Sequence, residues 1–125
     1  MAESVMDQYR RVQIGTAGPA QLVMMMYDGI ARFLTQAAHC MDKSNGSDAE
    51  YWTERSSRVV QELLATLDFE AGGEVARTLG EIYLMTIRET LRAKLRNDSS
   101  ILTKLASLYS DLRTGWAQVA NSKAV

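Results

Sequence analysis

The stretch from Thr16 to Met41, TAGPAQLVMMMYDGIARFLTQAAHCM, decides the fold class of this chain. It begins with Gly18 and Pro19, a pair typical of a helix start because proline has the φ of the first turn and needs no N–H partner there. Apolar residues then recur with the helical period of about 3.6 residues, and three consecutive methionines widen that face almost to the full circumference. The stretch therefore predicts the central helix of a bundle. One flank could also stay open for a partner helix, since thioether side chains adapt to varied surfaces.

Three further amphipathic segments follow this helix. Ser47 and Glu50 fit a capping box for the second helix, the pair Gly72-Gly73 is predicted to end it, and Asn97 or Asp98 is predicted to cap the fourth. With one proline and no alternating strand pattern, the chain is predicted to be all-α, an antiparallel up-down-up-down four-helix bundle. The expected ranges are a flexible N-terminal segment 1–15, a bundle 16–120 with helices at about 18–42, 48–69, 73–96 and 98–120, and a polar tail 121–125.

The N-terminal segment has no clear period but contains several apolar residues, among them Tyr9 and Ile14. Two interpretations stay open. The segment is either a frayed terminus or a mobile flap that covers an apolar groove and can be displaced.

Bulk composition excludes several classes of function. The net charge is −1, with 14 basic and 15 acidic residues, so a basic face for nucleic acid is not expected. The single cysteine, Cys40, rules out a disulfide framework within the chain and favours a reducing compartment. The N-terminus does not read as a signal peptide, and the run from Leu22 to Tyr27 is too short to span a bilayer. The prediction is a soluble cytosolic protein without membrane insertion.

The residues that could carry chemistry are few. His39 is the sole histidine and adjoins Cys40, an arrangement that lacks the ligands of a zinc or di-iron site and points the two side chains apart. No phosphate-binding glycine motif follows Gly72-Gly73. We therefore expect no catalytic residues, no metal, no cofactor and no enzyme activity. A surface that receives a partner helix is the remaining class of function.

Several motifs, in order and spacing, carry a family resemblance. They are Tyr9, Val12-x-Ile14, Thr16-Ala17-Gly18-Pro19-x-x-Leu22, Met26-Tyr27-Asp28-Gly29, Leu67-Asp68-x-Glu70-x-Gly72-Gly73-Glu74-x-Ala76, Leu79-x-x-x-Tyr83, Ala93-x-Leu95-x-Asn97-Asp98 and Trp116. Over residues 9–119 the chain resembles the FliS family, the flagellin-specific secretion chaperones. It departs from the usual family pattern at Gly18, Thr78 and Lys94.

The resemblance implies a cytosolic export chaperone of the bacterial flagellum. Such a protein binds the C-terminal segment of flagellin in apolar surface grooves, prevents its premature polymerisation and delivers it to the flagellar type III export apparatus. In the family, the N-terminal segment can occupy part of the client surface. An export-gate component, an anti-sigma factor or a co-chaperone as further partner is left open, and so is a weak homodimer. The competing interpretation from another class is a structural bundle that homo-oligomerises through its apolar faces.

Apolar side chains on the predicted helices and the N-terminal segment are the candidates for client binding. Sequence alone does not separate those that line a groove from those that fill the core. Asp28, a carboxylate within an apolar run, could pair with a base or cap a client helix. The candidates are Tyr9, Ile14, Leu22, Val23, Met26, Tyr27, Leu63, Leu67, Leu79, Tyr83, Ile87 and Leu91.

Overall fold

The computed structural model describes the backbone of residues 19–123 and the side chains of residues 19–118. Four helices occupy this range: α1 (Pro19–Asp42), α2 (Gly46–Thr66), α3 (Phe69–Arg96) and α4 (Ser99–Lys123). No strand occurs in it, so the predicted all-α class is confirmed. The predictions for residues 1–15, including Tyr9 and Ile14, lie outside the described residues.

The helices form a closed ring in which each packs against two neighbours. α1 packs against α2 and α4, and α3 completes the ring against the same two helices, so α1 and α3 lie diagonally opposite. Contacts between opposite ends show the antiparallel direction of α1 and α4: Arg113 lies 2.8 Å from Asp28, and Ser99 donates a hydrogen bond of 2.5 Å to Asp42. The predicted four-helix bundle with up-down-up-down order is confirmed.

The start of α2 differs from the sequence prediction. Asn45, and not Ser47, is the N-cap, and its side-chain oxygen accepts a hydrogen bond of 3.2 Å from the N–H of Asp48. Ser47 donates its hydroxyl to the same oxygen at 3.3 Å, so it supports the cap without being it. The capping box with Glu50 was therefore wrong. The helix begins at Gly46, because asparagine reaches an exposed N–H of the first turn as well as serine does.

The junction between α2 and α3 was also placed too late. α2 ends at Thr66 because Leu67 is extended, with ψ of 131°. Asp68 then caps α3, accepting hydrogen bonds from the N–H groups of Glu70 and Ala71 at 3.1 and 2.9 Å. The glycine pair does not end α2. Instead it lies inside α3, which kinks at Gly73, where φ is 55° and ψ is −129°. Only glycine adopts this conformation without strain.

The kink turns the first residues of α3 back onto the helix. The ring of Phe69 lies so close to Gly80 that a Cβ atom there would stand 3.2 Å from it. Gly80 therefore leaves room for the ring of Phe69, because it has no side chain.

At the α3–α4 turn the two predicted caps have separate functions. Asn97 ends α3 in the left-handed conformation, with φ of 51°, and its N–H bonds to the carbonyls of Ala93 and Lys94. Asp98 begins α4 by accepting hydrogen bonds from the hydroxyl and the N–H of Ser100 at 2.6 and 3.0 Å. These bonds favour the carboxylate and so lower the pKa of Asp98.

The core contains a polar seam that joins α1, α3 and α4. The hydroxyls of Tyr27 and Tyr83 share a hydrogen bond of 2.6 Å, and the indole N–H of Trp116 donates to Tyr27 at 3.1 Å. Tyr109 shares a hydrogen bond of 2.7 Å with Thr86. Burial raises the pKa of all three tyrosines, because the phenolate would lose its hydration. Satisfied hydroxyls let polar side chains fill the diagonal of the bundle.

Candidate binding surface

Exposed apolar side chains are concentrated on α3. Of the six large apolar residues that are exposed within the described side chains, five belong to this helix, and Tyr51 on α2 is the sixth. Single exposed apolar residues are normal on a protein surface, but a concentration on one helix indicates a contact surface. The five on α3 are Phe69, Val75, Leu84, Leu91 and Leu95.

Four of the apolar residues of α3 form a continuous line, which we call the α3 apolar stripe: Leu84, Ile87, Leu91 and Leu95. Their spacing of three and four residues places them on one side of the helix over about 16 Å. Leu84 is 54% exposed, Leu91 53% and Leu95 79%, while Ile87 is half-buried. The stripe is thus accessible without any movement of the bundle.

The inner face of α3 packs against the rest of the bundle. Tyr83, Thr86 and Thr90 are buried there, together with the small residues Ala76 and Ala93. The helix therefore has two apolar faces, of which the bundle covers one. Its amino-acid sequence already shows both, since two apolar lines with helical spacing run along it.

The predicted client-binding residues fall into four groups. Within the described chain the structure buries five of them in the core, at 9% exposure or less: Met26, Tyr27, Leu63, Leu79 and Tyr83. Four others are half-buried: Leu22, Val23, Leu67 and Ile87. Leu91 is exposed, and Tyr9 and Ile14 lie outside the described residues.

The structure brings only part of this set together. Ile87 and Leu91 share the α3 apolar stripe, whereas Leu22 and Val23 lie near the start of α1, diagonally across the bundle. The predicted client-binding set omits Leu84 and Leu95, although the periodic line that they share with Ile87 and Leu91 can be read from the sequence. As a client-binding site the predicted set stays a prediction.

Asp28 takes the first of the two roles considered for it. Its carboxylate lies 2.8 Å from the guanidinium Nε of Arg113 on α4. Both side chains are about half exposed, at 48% and 46%, so water screens the pair and it contributes less than about 1 kcal/mol.

A second concave surface lies between α1 and α4. It is an open depression of about 560 Å³, bordered by alanines and by polar side chains, among them Arg32, Gln36, His39 and Ser107. Within the described residues, no three side chains of the His, Cys, Asp and Glu types are placed to hold a metal ion. No described helix is long and apolar enough to cross a membrane.

The fold and the stripe define a class of protein. A helical bundle that leaves one apolar helix face uncovered is suited to bind another protein segment. Residues 1–123 match the family described as flagellar protein FliS. This chain belongs to that family.

Individual relatives agree with the assignment. A Campylobacter jejuni protein is 31% identical over 119 residues, which cover 95% of this chain and 93% of that protein. A Salmonella typhimurium protein is 32% identical over 106 residues, or 84% and 78% of the two chains. A Bacillus subtilis protein is 25% identical over 115 residues, or 92% and 85%. All three are named flagellar secretion chaperone FliS.

Proposed function

We propose that this chain is a cytosolic chaperone, without enzyme activity, that binds the C-terminal segment of flagellin before export. Its family supports a role in flagellar secretion, and the α3 apolar stripe is the observation that carries the proposed binding. While the chaperone holds this segment, flagellin does not polymerise prematurely. The chaperone then delivers flagellin to the flagellar type III export apparatus.

The stripe suits an amphipathic client helix. Such a helix places apolar residues at intervals of three and four along one side, and these match the intervals between Leu84, Ile87, Leu91 and Leu95. A disordered segment loses conformational entropy when it folds on a surface, so one line of about 16 Å gives little net affinity. The client must therefore contact more of the bundle than the stripe.

The half-buried candidates supply further contact points. Leu67 precedes α3 and lies beside Gly80, while Leu22 and Val23 are on the diagonally opposite helix. A segment that contacts both groups must pass around the outside of the bundle. Met26, Tyr27, Leu63, Leu79 and Tyr83 fill the core, so we assign them to the packing of the bundle and place the first client contacts on the accessible residues.

The N-terminal flap stays part of the proposal. If residues 1–14 cover part of the client surface, deleting them should raise the fluorescence of a dye that binds exposed apolar surface. Unchanged fluorescence would count against the flap but would not affect the assignment of the stripe.

The decisive experiment is calorimetric titration with the C-terminal segment of flagellin from the same organism. A length of about forty residues allows several anchoring helical turns. We expect binding with a clearly negative heat-capacity change, the mark of buried apolar surface. No heat at several temperatures would refute the proposal.

Substitutions in the stripe locate the contact. Leu84→Gln and Leu91→Gln should each weaken binding about tenfold or more, because each removes a leucine buried on binding. Val75→Gln is the matched control, since Val75 is 66% exposed on the same helix but lies about 180° from Leu84 around its axis. Equal losses of affinity in the three variants would show that the client does not bind at the α3 apolar stripe.

The same variants separate client binding from self-association. If the stripe served only to join copies of this chain, Leu91→Gln would lower the mass measured by sedimentation, and the parent protein would show no heat with the flagellin segment.

A further inference from the structure

A second surface, distinct from the α3 apolar stripe, combines two arginines with three aromatic rings. We call it the arginine–aromatic cluster: Arg32 and Phe33 of α1, and Tyr51, Trp52 and Arg55 of α2. The rings of Phe33 and Trp52 stack with centroids 5.8 Å apart, and Tyr51 meets Trp52 edge-on at 5.0 Å. Tyr51 is 52% exposed, so the cluster reaches the surface.

Arg55 is held in place by these rings. Its guanidinium carbon lies 4.9 Å from the centroid of Phe33, 5.5 Å from that of Tyr51 and 5.9 Å from that of Trp52. It also donates a hydrogen bond of 3.0 Å to the hydroxyl of Tyr51. Each contact is a favourable cation–π geometry, and together they reduce the rotamer freedom that an exposed arginine normally has.

The two guanidinium groups border the same ring. Arg32 lies 5.5 Å from the centroid of Phe33, the same ring that Arg55 covers. Among the described residues, neither has a carboxylate within salt-bridge distance, whereas the neighbouring Arg58 pairs with Glu54 at 2.7 Å. Arginine has five N–H donors, and the hydrogen bond to Tyr51 uses one of those on Arg55.

We propose that the arginine–aromatic cluster docks an acidic segment of a partner protein. Carboxylates of that segment accept hydrogen bonds from Arg55 and Arg32, and an apolar side chain next to them covers Tyr51 and Trp52. The positive charge of the two guanidinium groups favours carboxylates over neutral groups. Arginine can bind a carboxylate through two parallel hydrogen bonds. Because Arg55 is already ordered, little entropy is lost on binding. Tryptophan, tyrosine and arginine are also the residues that dominate protein–protein affinity.

The cluster is separate from the α3 apolar stripe. Two of its residues belong to α1, which lies diagonally opposite α3, and three belong to α2, which packs beside α3 and pairs with it through Glu50 and Lys94 at 3.2 Å. Leu22 and Val23, the client candidates on α1, precede Phe33 by about 15 Å along the helix. A client segment that passes from α3 to α1 over α4 leaves the cluster free, so the chaperone can hold such a client and an acidic partner at the same time.

The two tryptophans of the chain provide a built-in test. Trp52 belongs to the cluster, while Trp116 donates to the buried hydroxyl of Tyr27. With 15N-labelled tryptophan, the indole signals are followed during titration with a short peptide of alternating glutamate and leucine. We expect the Trp52 signal to shift in a saturable way and the Trp116 signal to stay in place. The same peptide with glutamine for glutamate should produce no shift.

Matched variants assign the contact. Arg55→Gln should weaken binding of the glutamate peptide about tenfold or more, because the carboxylate loses its charge-assisted hydrogen bonds to Arg55. Arg55→Lys keeps the positive charge but loses the planar guanidinium group, so it should also weaken binding of the glutamate peptide. Arg58→Gln, one turn further along α2, should bind like the parent. Titration of Arg55→Gln with the flagellin segment should give the parent affinity.

Three results of the peptide titrations would overturn the proposal. They are the absence of any Trp52 shift at millimolar glutamate peptide, equal shifts with the glutamine peptide, and equal weakening by Arg55→Gln and Arg58→Gln. Tighter binding of a single-stranded oligonucleotide than of the glutamate peptide would also overturn it, by assigning the cluster to phosphate.

Discussion

At the residue scale, Tyr27 shows how polar atoms can hold a helical core together. Its hydroxyl accepts a hydrogen bond from Trp116 and shares another with Tyr83, so one oxygen joins three helices. Its ring packs edge-to-face against Tyr83 and Tyr109, with centroids 6.4 and 5.5 Å away. Each such ring pair adds about 0.5–1.5 kcal/mol to the effect of burial alone. The position is therefore a structural centre of the bundle, although the sequence also offered it as a client contact.

The two partners in the tyrosine pair are not equivalent. Tyr27→Phe leaves both Trp116 and Tyr83 without a partner and should lower the free energy of unfolding by about 2–4 kcal/mol. Tyr83→Phe leaves the hydroxyl of Tyr27 still bonded to Trp116 and should cost about 1 kcal/mol. Urea unfolding measures both, with Tyr51→Phe on the surface as a control that should change stability little. Equal losses from the two core variants would show that the bond to Trp116 contributes nothing.

At the element scale, α3 differs from the other helices because a glycine with positive φ divides it. Asp68 caps its short first part, Gly73 redirects the chain, and the ring of Phe69 then rests beside Gly80. The longer second part has one face in the core and the α3 apolar stripe on the other. The kink therefore lets the chain turn from α2 into α3 while Phe69 packs on the longer second part.

Two glycine substitutions test the kink. A Cβ atom at Gly73 would meet no atom within 4 Å, so Gly73→Ala measures the backbone strain at φ of 55° without a steric clash. We expect a loss of about 1–3 kcal/mol in unfolding free energy. Gly115, inside α4, is equally unobstructed but has no positive φ, so Gly115→Ala should stabilise by up to about 1 kcal/mol. A stabilised Gly73→Ala protein would contradict the kink.

At the scale of the whole molecule, the ring arrangement leaves α1 and α3 in contact only through side chains. Within the described helices the backbones of α1 and α3 do not approach each other, and the tyrosine pair bridges the gap. The position of α3 relative to α1 therefore depends on this hydrogen bond and on the packing of α3 against α2 and α4.

This arrangement predicts a loss of stability in alkali. An unfolded tyrosine releases its proton near the ordinary pKa of 10.0, while burial raises the pKa of Tyr27, Tyr83 and Tyr109 in the folded bundle. Above pH 10 the unfolded state therefore binds fewer protons than the folded state. The free energy of unfolding therefore keeps the full contribution of the neutral tyrosines below pH 10. As the pH rises further, it falls by up to about 1.4 kcal/mol per pH unit for each tyrosine.

Unfolding midpoints in urea between neutral pH and pH 11 measure the effect. Tyr109→Phe removes one of the three groups, while Thr86 keeps its bond to the carbonyl of Ile82. The variant should show a shallower decline than the parent, and lysine titration cancels in the comparison. Parallel declines would mean that Tyr109 ionises equally in both states.

The helices could be predicted from sequence because their signals are local. Periodic apolar residues, the turns and the lack of strand patterns gave the four-helix class, and two apolar lines along α3 were visible before the structure. The errors were also local. Asn45 was passed over in favour of Ser47, and the glycine pair was assigned to the wrong helix, because several residues near each boundary can cap and positive φ serves a kink as well as a helix end.

The sequence by itself determined the helical bundle, its family resemblance and the apolar character of the residues that could bind a client. Only the tertiary structure decided that Met26, Tyr27 and Tyr83 are buried while Leu84, Leu91 and Leu95 are exposed. The physical reason is that a periodic pattern shows which side of a helix is apolar. Which of two apolar sides is covered depends on the positions of the neighbouring helices, and these are set by contacts between residues far apart in the chain. The arginine–aromatic cluster arises in the same way, since its five residues come together only when α1 packs against α2.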